Sequence, residues 1–222
     1  MFRSAVALRQ YALVTLLLWA ACCVMDQSAN AAIVHDELDG DGELSNDNND
    51  PTPLDFAIGD NTVRGVVFDA RGTMNTDIFT FTVPELTEWT SMRVDDYIST
   101  DNIAFVAISS GTTFPYNVFD LDEVQNGNLP EDAFLGGTTF GPGDTVPNDP
   151  TAGFDILQRA GRISGSRFSG PLSAGEYTVY IQQIGASTEY RLTFGITSIP
   201  EPSAFAFLGL ASGVVVTRRR RR

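Results

Sequence analysis

Lysine does not occur anywhere in the 222 residues, and histidine occurs once, as His35. The missing lysine removes the amine that Schiff-base chemistry needs. A lone histidine, with no G-x-S-x-G elbow in the chain, leaves a serine hydrolase without a nucleophile context and without a base. Cysteine is confined to Cys22 and Cys23. Long apolar runs are also missing: the two most hydrophobic stretches are Tyr11 to Ala21 and Ala204 to Val216. The second, as a helix, would rise about 20 Å against a hydrocarbon core of roughly 30 Å. Positive charge is scarce: 14 basic residues, all arginine, face 28 acidic ones. Between Ala32 and Ile199 the imbalance sharpens to 26 acids against 7 arginines, about 19 net negative charges. Such a surface repels DNA, RNA and anionic lipid, so nucleic acid is excluded as a partner of this region. An acidic surface free of lysine serves solubility in salty water, or weak capture of divalent cations.

The N-terminal stretch from Met1 to about Ala31 reads as a secretory signal peptide. Arg3 and Arg9 form a positive n-region, Tyr11 to Ala21 an apolar h-region, and Ala29-Asn30-Ala31 a small-x-small cleavage site. Passage through the general secretion machinery and cleavage by signal peptidase after Ala31 are expected. Cys22 and Cys23 leave a lipoprotein alternative, against which Trp19 places a bulky ring where a small aliphatic residue belongs. With both cysteines inside the leader, the mature chain is expected to hold no disulfide, thiolate nucleophile or cysteine-bound metal. Residues 32 to 199 suffice for one domain, whose stability must come from a packed core.

Residues 32–53 read as an acidic, flexible arm carrying His35. Within it, Asp39, Asp41, Gly42 and Leu44 fall at positions 3, 5, 6 and 8 of an EF-hand loop, with Glu37 at position 1. Position 12 would be Asn48 where a bidentate acid is needed, and Pro51 and Pro53 forbid a following helix. The motif is therefore incomplete, and calcium through Asp39, Asp41 and Glu43 stands beside a plain solvated segment.

From residue 54 to 198 the hydrophobic period is two. Ile78 to Val83 places Phe79, Phe81 and Val83 on one face and threonines on the other, as a half-buried strand does. Thr62 to Phe68, Trp89 to Val94 and Ile103 to Ser109 read as further strands, the last apolar enough to be central. Residues 111–150 are punctuated by Gly, Pro, Asn and Asp and read as long loops with one short element. Phe154 to Ala160 suits a strand or a short helix equally. Tyr177 to Ile181 and Tyr190 to Ile196 alternate on either side of a Gly185-Ala186-Ser187 loop and read as a hairpin. The pattern predicts an all-β, antiparallel, jelly-roll-like β-sandwich, flanked by an N-terminal signal-peptide helix and a C-terminal hydrophobic helix.

The C-terminal 23 residues have three parts in order. Pro200-Glu201-Pro202 is a stiff stalk, Ala204 to Val216 is the short apolar run, and Arg218, Arg219, Arg220, Arg221 and Arg222 form a basic cluster suited to the cytoplasmic face. Together these residues resemble a PEP-CTERM sorting signal, which implies recognition by an exosortase-type membrane protease, transient anchoring in the inner membrane, and a final address at the cell surface or beyond. A plain tail anchor with a proline-rich stalk is the alternative.

A second resemblance covers the middle of the chain. Asp77 to Val83, then Leu172 to Val179 and Tyr190 to Thr193, are similar to the bacterial pre-peptidase C-terminal domain pattern, in which a D-x-F-x-F-x-V strand opens the domain and a G-x-Y turn closes it. Those domains are small β-sandwiches that bind or solubilise but do not catalyse. Asp41 to Asp47, Ser99 to Phe105 and Tyr177 to Gln183 are similar to a group of uncharacterised PEP-CTERM proteins. The resemblance implies a fold and an address, not an activity.

The expected function is accordingly that of an exported, non-catalytic protein of the cell envelope or extracellular matrix, structural or adhesive in role. The alternative is a module binding extracellular polysaccharide, with Trp89, Tyr97 and Tyr116 as candidate stacking platforms. Asp95, Asp96 and Asp101 flank that region and are candidates for a calcium held between loops. A carboxylate pair for glycoside hydrolysis would draw on Asp95, Asp96, Asp101, Asp120, Asp122 and Glu123. No cofactor other than calcium is suggested.

Overall fold

The computed structural model describes residues 31–70, 73–115, 135–142, 154–160, 168, 170–183 and 185–200. Ten strands, one 3-10 turn (Glu37–Asp39) and one α-helical turn lie among them. They are β1 (Ala32–Asp36), β2 (Thr52–Pro53), β3 (Gly59–Ala70), β4 (Thr73–Asn75), β5 (Asp77–Ser99), β6 (Ala104–Ser110), β7 (Gly136–Phe140), β8 (Phe154–Asp155), helix α1 (Leu157–Ala160), β9 (Leu172–Gln182) and β10 (Thr188–Ser198). The fold is all-β, as the period of two predicts.

β5 is the axis of the molecule. The two strands expected at Ile78 to Val83 and Trp89 to Val94 are halves of this one element of 23 residues. Its first half keeps the predicted alternation, with Phe79, Phe81 and Val83 buried and Thr82 exposed. Between the halves, Pro84 lacks an amide hydrogen, Leu86 sits at φ 61, and the Thr87 hydroxyl donates to the Pro84 carbonyl at 2.7 Å. The register with β9 shifts between Val83 and Glu88. Phe81 and Trp89, one from each half, meet edge to face with ring centroids 5.1 Å apart. Phe194 of β10 and Phe56 complete the aromatic centre, Phe56 stacking on Phe81 at 4.1 Å. Aromatic pairs of this kind add about 0.5–1.5 kcal/mol each beyond their burial.

Neighbouring strands run in the order β1-β3-β10-β5-β9-β6-β7, with β4 on β3 and both β2 and β8 on β5. This order corrects the expected hairpin: β9 and β10 do not pair, because β5 lies between them. Alternation identifies a strand and its buried face, but it carries no information about which edge the next strand takes. The connection between β9 and β10 instead passes over the end of β5, where Ser99 donates to the Ser187 carbonyl at 3.0 Å. β6 is flanked on both sides, by β9 and β7, which fits its continuous apolar run. Phe154 to Ala160 turns out to be both of its alternatives, a two-residue strand followed by one helical turn.

The sheet is mixed, not antiparallel throughout. β1 lies parallel to β3 and β2 parallel to β5. Both parallel strands belong to residues 32–53, which the composition marks as a flexible arm but which the structure packs against the sheet. Leu44 is the reason: it is 1% exposed and joins the main core, holding the chain down between its acidic neighbours. Ser45 accepts from the Ile78 amide at 2.9 Å, and Asn48 donates from its side chain to the Phe114 carbonyl at 2.7 Å. His35, which the flexible-arm reading places in a solvated segment, is buried in β1 with Nε2 3.1 Å from the Gly42 carbonyl oxygen.

The expected leader and apolar tail lie outside the described residues. Among the described residues no helix is long and apolar enough to cross a membrane.

Candidate metal centre

Pinning the acidic segment to the sheet brings three carboxylates together. Asp36 ends β1 in extended geometry and caps a short 3-10 turn, Glu37–Asp39, by accepting from the Leu38 amide at 3.0 Å. Gly40, at φ 103, ends that turn and reverses the chain, so that Glu43 and Leu44 return beside Glu37. Glu37 then bridges two segments, accepting from the Leu44 amide at 2.6 Å and from the Val66 amide of β3 at 2.7 Å. Glu43 stays exposed and accepts from the Asn75 side-chain amide, which also donates to the Val66 carbonyl at 3.0 Å.

Asp77, the first residue of β5, is the third member and is fully buried. Tyr190 of β10 donates its hydroxyl to Asp77 Oδ2 at 2.6 Å, while Oδ1 has no hydrogen-bond partner among the described residues. Gly65 makes this approach possible. It stands opposite Tyr190 in the β3–β10 register, and a Cβ there would lie 2.5 Å from both Asp77 Oδ2 and the tyrosine hydroxyl.

One oxygen from each of Glu37, Glu43 and Asp77 lies within 4.8 Å of the others. Like charges at such a separation repel by roughly 3 kcal/mol at an effective dielectric of about 20. Burial holds the Asp77 carboxyl well above the usual carboxylate range, the charge of Glu37 adds to this, and the Tyr190 hydrogen bond only partly opposes it. Burial also raises Glu37, against the pull of its two backbone amides. Tyr190 is pushed well above the normal phenol range by burial and by Asp77. None of the ion pairs among the described residues includes any of the three acids. Chemically the cluster can keep a proton or take up a hard cation. It is poorly placed to attack a polymer, since Asp77 is sealed and Glu37 is tied to two amides.

Of the residues picked from the sequence as calcium ligands, only Glu43 belongs to this cluster. Asp39 and Asp41 are exposed, and Asp41 accepts from the Asp36 amide at 2.8 Å. Asp95 is the extra residue in a bulge, where the β5–β10 register slips between Arg191 and Leu192, and it accepts from the Thr193 hydroxyl. Asp96 accepts from the Tyr97 amide at 3.0 Å and lies 3.9 Å from Arg191. Asp101 accepts from the Asn102 amide at 2.7 Å and borders a cavity with Gln182 and Gln183. These three do not form a cluster with one another.

Two of the three expected sugar platforms, Trp89 and Tyr97, are also corrected. Trp89 is fully buried, ringed by Phe81, Tyr177 and Phe194, and its indole N–H donates to the Ser91 carbonyl at 2.8 Å. Tyr97 is 7% exposed and packs edge-on to Phe140 at 5.8 Å. A ring buried for its area cannot present a face to a pyranose. Tyr116, Asp120, Asp122 and Glu123 lie outside the described residues, as do Glu201, Pro202 and the five terminal arginines.

Sequence reasoning missed Asp77 because it opens an evident strand, and its burial depends on a segment some 30 residues earlier folding over it. The available signal was Leu44, a core-type residue within an otherwise acidic run. No protein-family model matches this chain, and neither a curated protein nor a solved structure is significantly similar to it.

Proposed function

We propose that the chain is an exported, non-catalytic protein of the cell envelope or extracellular matrix, structural or adhesive in role, sorted through its C-terminal tail by an exosortase-type membrane protease. The observation that carries this reading is the order of the tail itself: Pro200-Glu201-Pro202, a thirteen-residue apolar run, and five arginines. The end of the sheet suits it. β10 stops at Ser198, its last residues are exposed, and Ile199 is tied by its amide to the Leu86 carbonyl at 2.8 Å, so Pro200 follows directly on the end of the sheet. A protease acting there would cut next to the end of the sheet without unfolding the domain.

In this reading the leader directs export and is removed by signal peptidase, the apolar run and arginines hold the chain at the inner membrane, and cutting near Pro200 releases or re-anchors an acidic β-domain. The doubled-over sheet is read as a jelly-roll-like sandwich, closed by the bend in β5. A non-catalytic role is supported by the sole histidine being packed against Gly42, and by the lack of any lysine. Polysaccharide binding is the weaker alternative, having lost Trp89 and Tyr97 to the core. Replacing Pro200, Glu201 and Pro202 together by alanine in the native host should leave the unprocessed chain at the membrane. Unchanged processing and release would refute the sorting role.

A further inference from the structure

We propose that Glu37, Glu43 and Asp77 form a calcium site that clamps the acidic N-terminal segment onto the sheet. This inference is independent of the sorting reading, since it concerns only the β-domain. Two observations carry it. The first is the spacing: one oxygen from each residue lies within 4.8 Å of the others. Oxygen ligands sit about 2.3–2.6 Å from calcium, so ligands on opposite sides of the ion are separated by about 4.6–5.2 Å. The second is Asp77 Oδ1, buried without a hydrogen-bond partner among the described residues while its sister oxygen accepts from Tyr190. A buried carboxylate oxygen left unpaired is costly, and a cation beside it supplies the missing partner.

The donor set selects the metal. Three carboxylates provide up to six oxygens, which suits the high and flexible coordination of calcium. Magnesium demands a tight octahedron at about 2.0–2.1 Å and gives up its waters reluctantly, so an all-carboxylate protein cage suits it less. No cysteine or histidine belongs to the group, which disfavours zinc. Exposed Glu43 leaves the site an approach from solvent, while Glu37 and Asp77 are fixed in advance by two backbone amides and a tyrosine. The clamp links three separate pieces of chain: Glu37 and Glu43 belong to the acidic loop, Val66 to β3 and Asp77 to β5.

Calorimetry and thermal melting on the full chain, stripped with a chelator and titrated with calcium chloride, test the proposal. The expected result is one calcium per chain and a melting temperature several degrees higher, with magnesium at the same concentration giving a clearly smaller shift. Asp77→Asn should weaken binding at least tenfold. Should that variant fail to fold, Glu43→Gln, on an exposed side chain, should still weaken binding, and Asp95→Asn should leave it unchanged. Absence of both heat and thermal shift at millimolar calcium would overturn the site. So would binding that survives both Asp77→Asn and Glu43→Gln.

Discussion

Acidic side chains at two places in this molecule are handled in opposite ways. Along β1, β3, β5 and β10 the sparse arginines are distributed among them: Arg64 reaches Asp36 and Glu189, Arg93 reaches Asp60 at 2.7 Å, and Arg191 approaches Asp96 at 3.9 Å. These pairs are partly open to water, so each contributes little and fades with salt. Beneath the acidic segment, Glu37, Glu43 and Asp77 crowd together with no arginine among them, one exposed, one half-buried and one sealed. In the first region charge is balanced where solvent already screens it. In the second it is left unbalanced where burial makes imbalance expensive, which is how a site meant for a cation differs from a decorated surface.

Gly65→Ala should separate the two regions most strongly. A methyl group there would lie 2.5 Å from Asp77 Oδ2 and from the Tyr190 hydroxyl, breaking the pair that holds the cluster together. Overpacking of this kind costs about 1–3 kcal/mol, measurable by denaturant unfolding, and it should also abolish any calcium response. At the other extreme, Arg93→Ala removes the partner of Asp60 from a surface pair about a third exposed on each side. Its expected cost is about 0.5 kcal/mol or less, smaller still in high salt, with the calcium response intact. If the two substitutions cost the same, the contrast between the regions is wrong.

Much of the fold was legible in local pattern. Phe79, Phe81 and Val83 alternate with threonines, Tyr177, Val179 and Ile181 with Thr178, Tyr180 and Gln182, and each run is a strand in the place expected. What local pattern does not encode is partner choice. Two runs joined by Gly185-Ala186-Ser187 look like a hairpin, yet β5 separates them, and only the length of β5 and its bend at Pro84–Leu86 explain why. Aromatic residues suffer the same ambiguity: Trp89 suits a sugar platform or a core equally until Phe81 and Phe194 are seen around it. The acidic segment was misread for a different reason. Its average composition is that of a solvated arm, but one leucine, Leu44, outweighs the average by burying itself in the core. Seating that leucine draws its amide onto Glu37 and brings Glu37 and Glu43 beside Asp77.

The most direct test is the pH dependence of stability with and without calcium. Asp77 has its folded pKa raised above its unfolded value, so the folded state binds its proton more tightly. Without metal, its contribution favours folding least at high pH: stability is lost as pH climbs from the ordinary carboxylate range, about 4, toward the raised value. Calcium replaces the proton and removes that loss. For the chelator-stripped full chain, the melting temperature should fall as pH rises above the ordinary carboxylate range, recover on adding calcium at the higher pH, and respond weakly to calcium at the lower one. The same scan on Asp77→Asn should be flatter and indifferent to calcium. A wild-type profile that calcium leaves unchanged at both pH values would contradict the clamp.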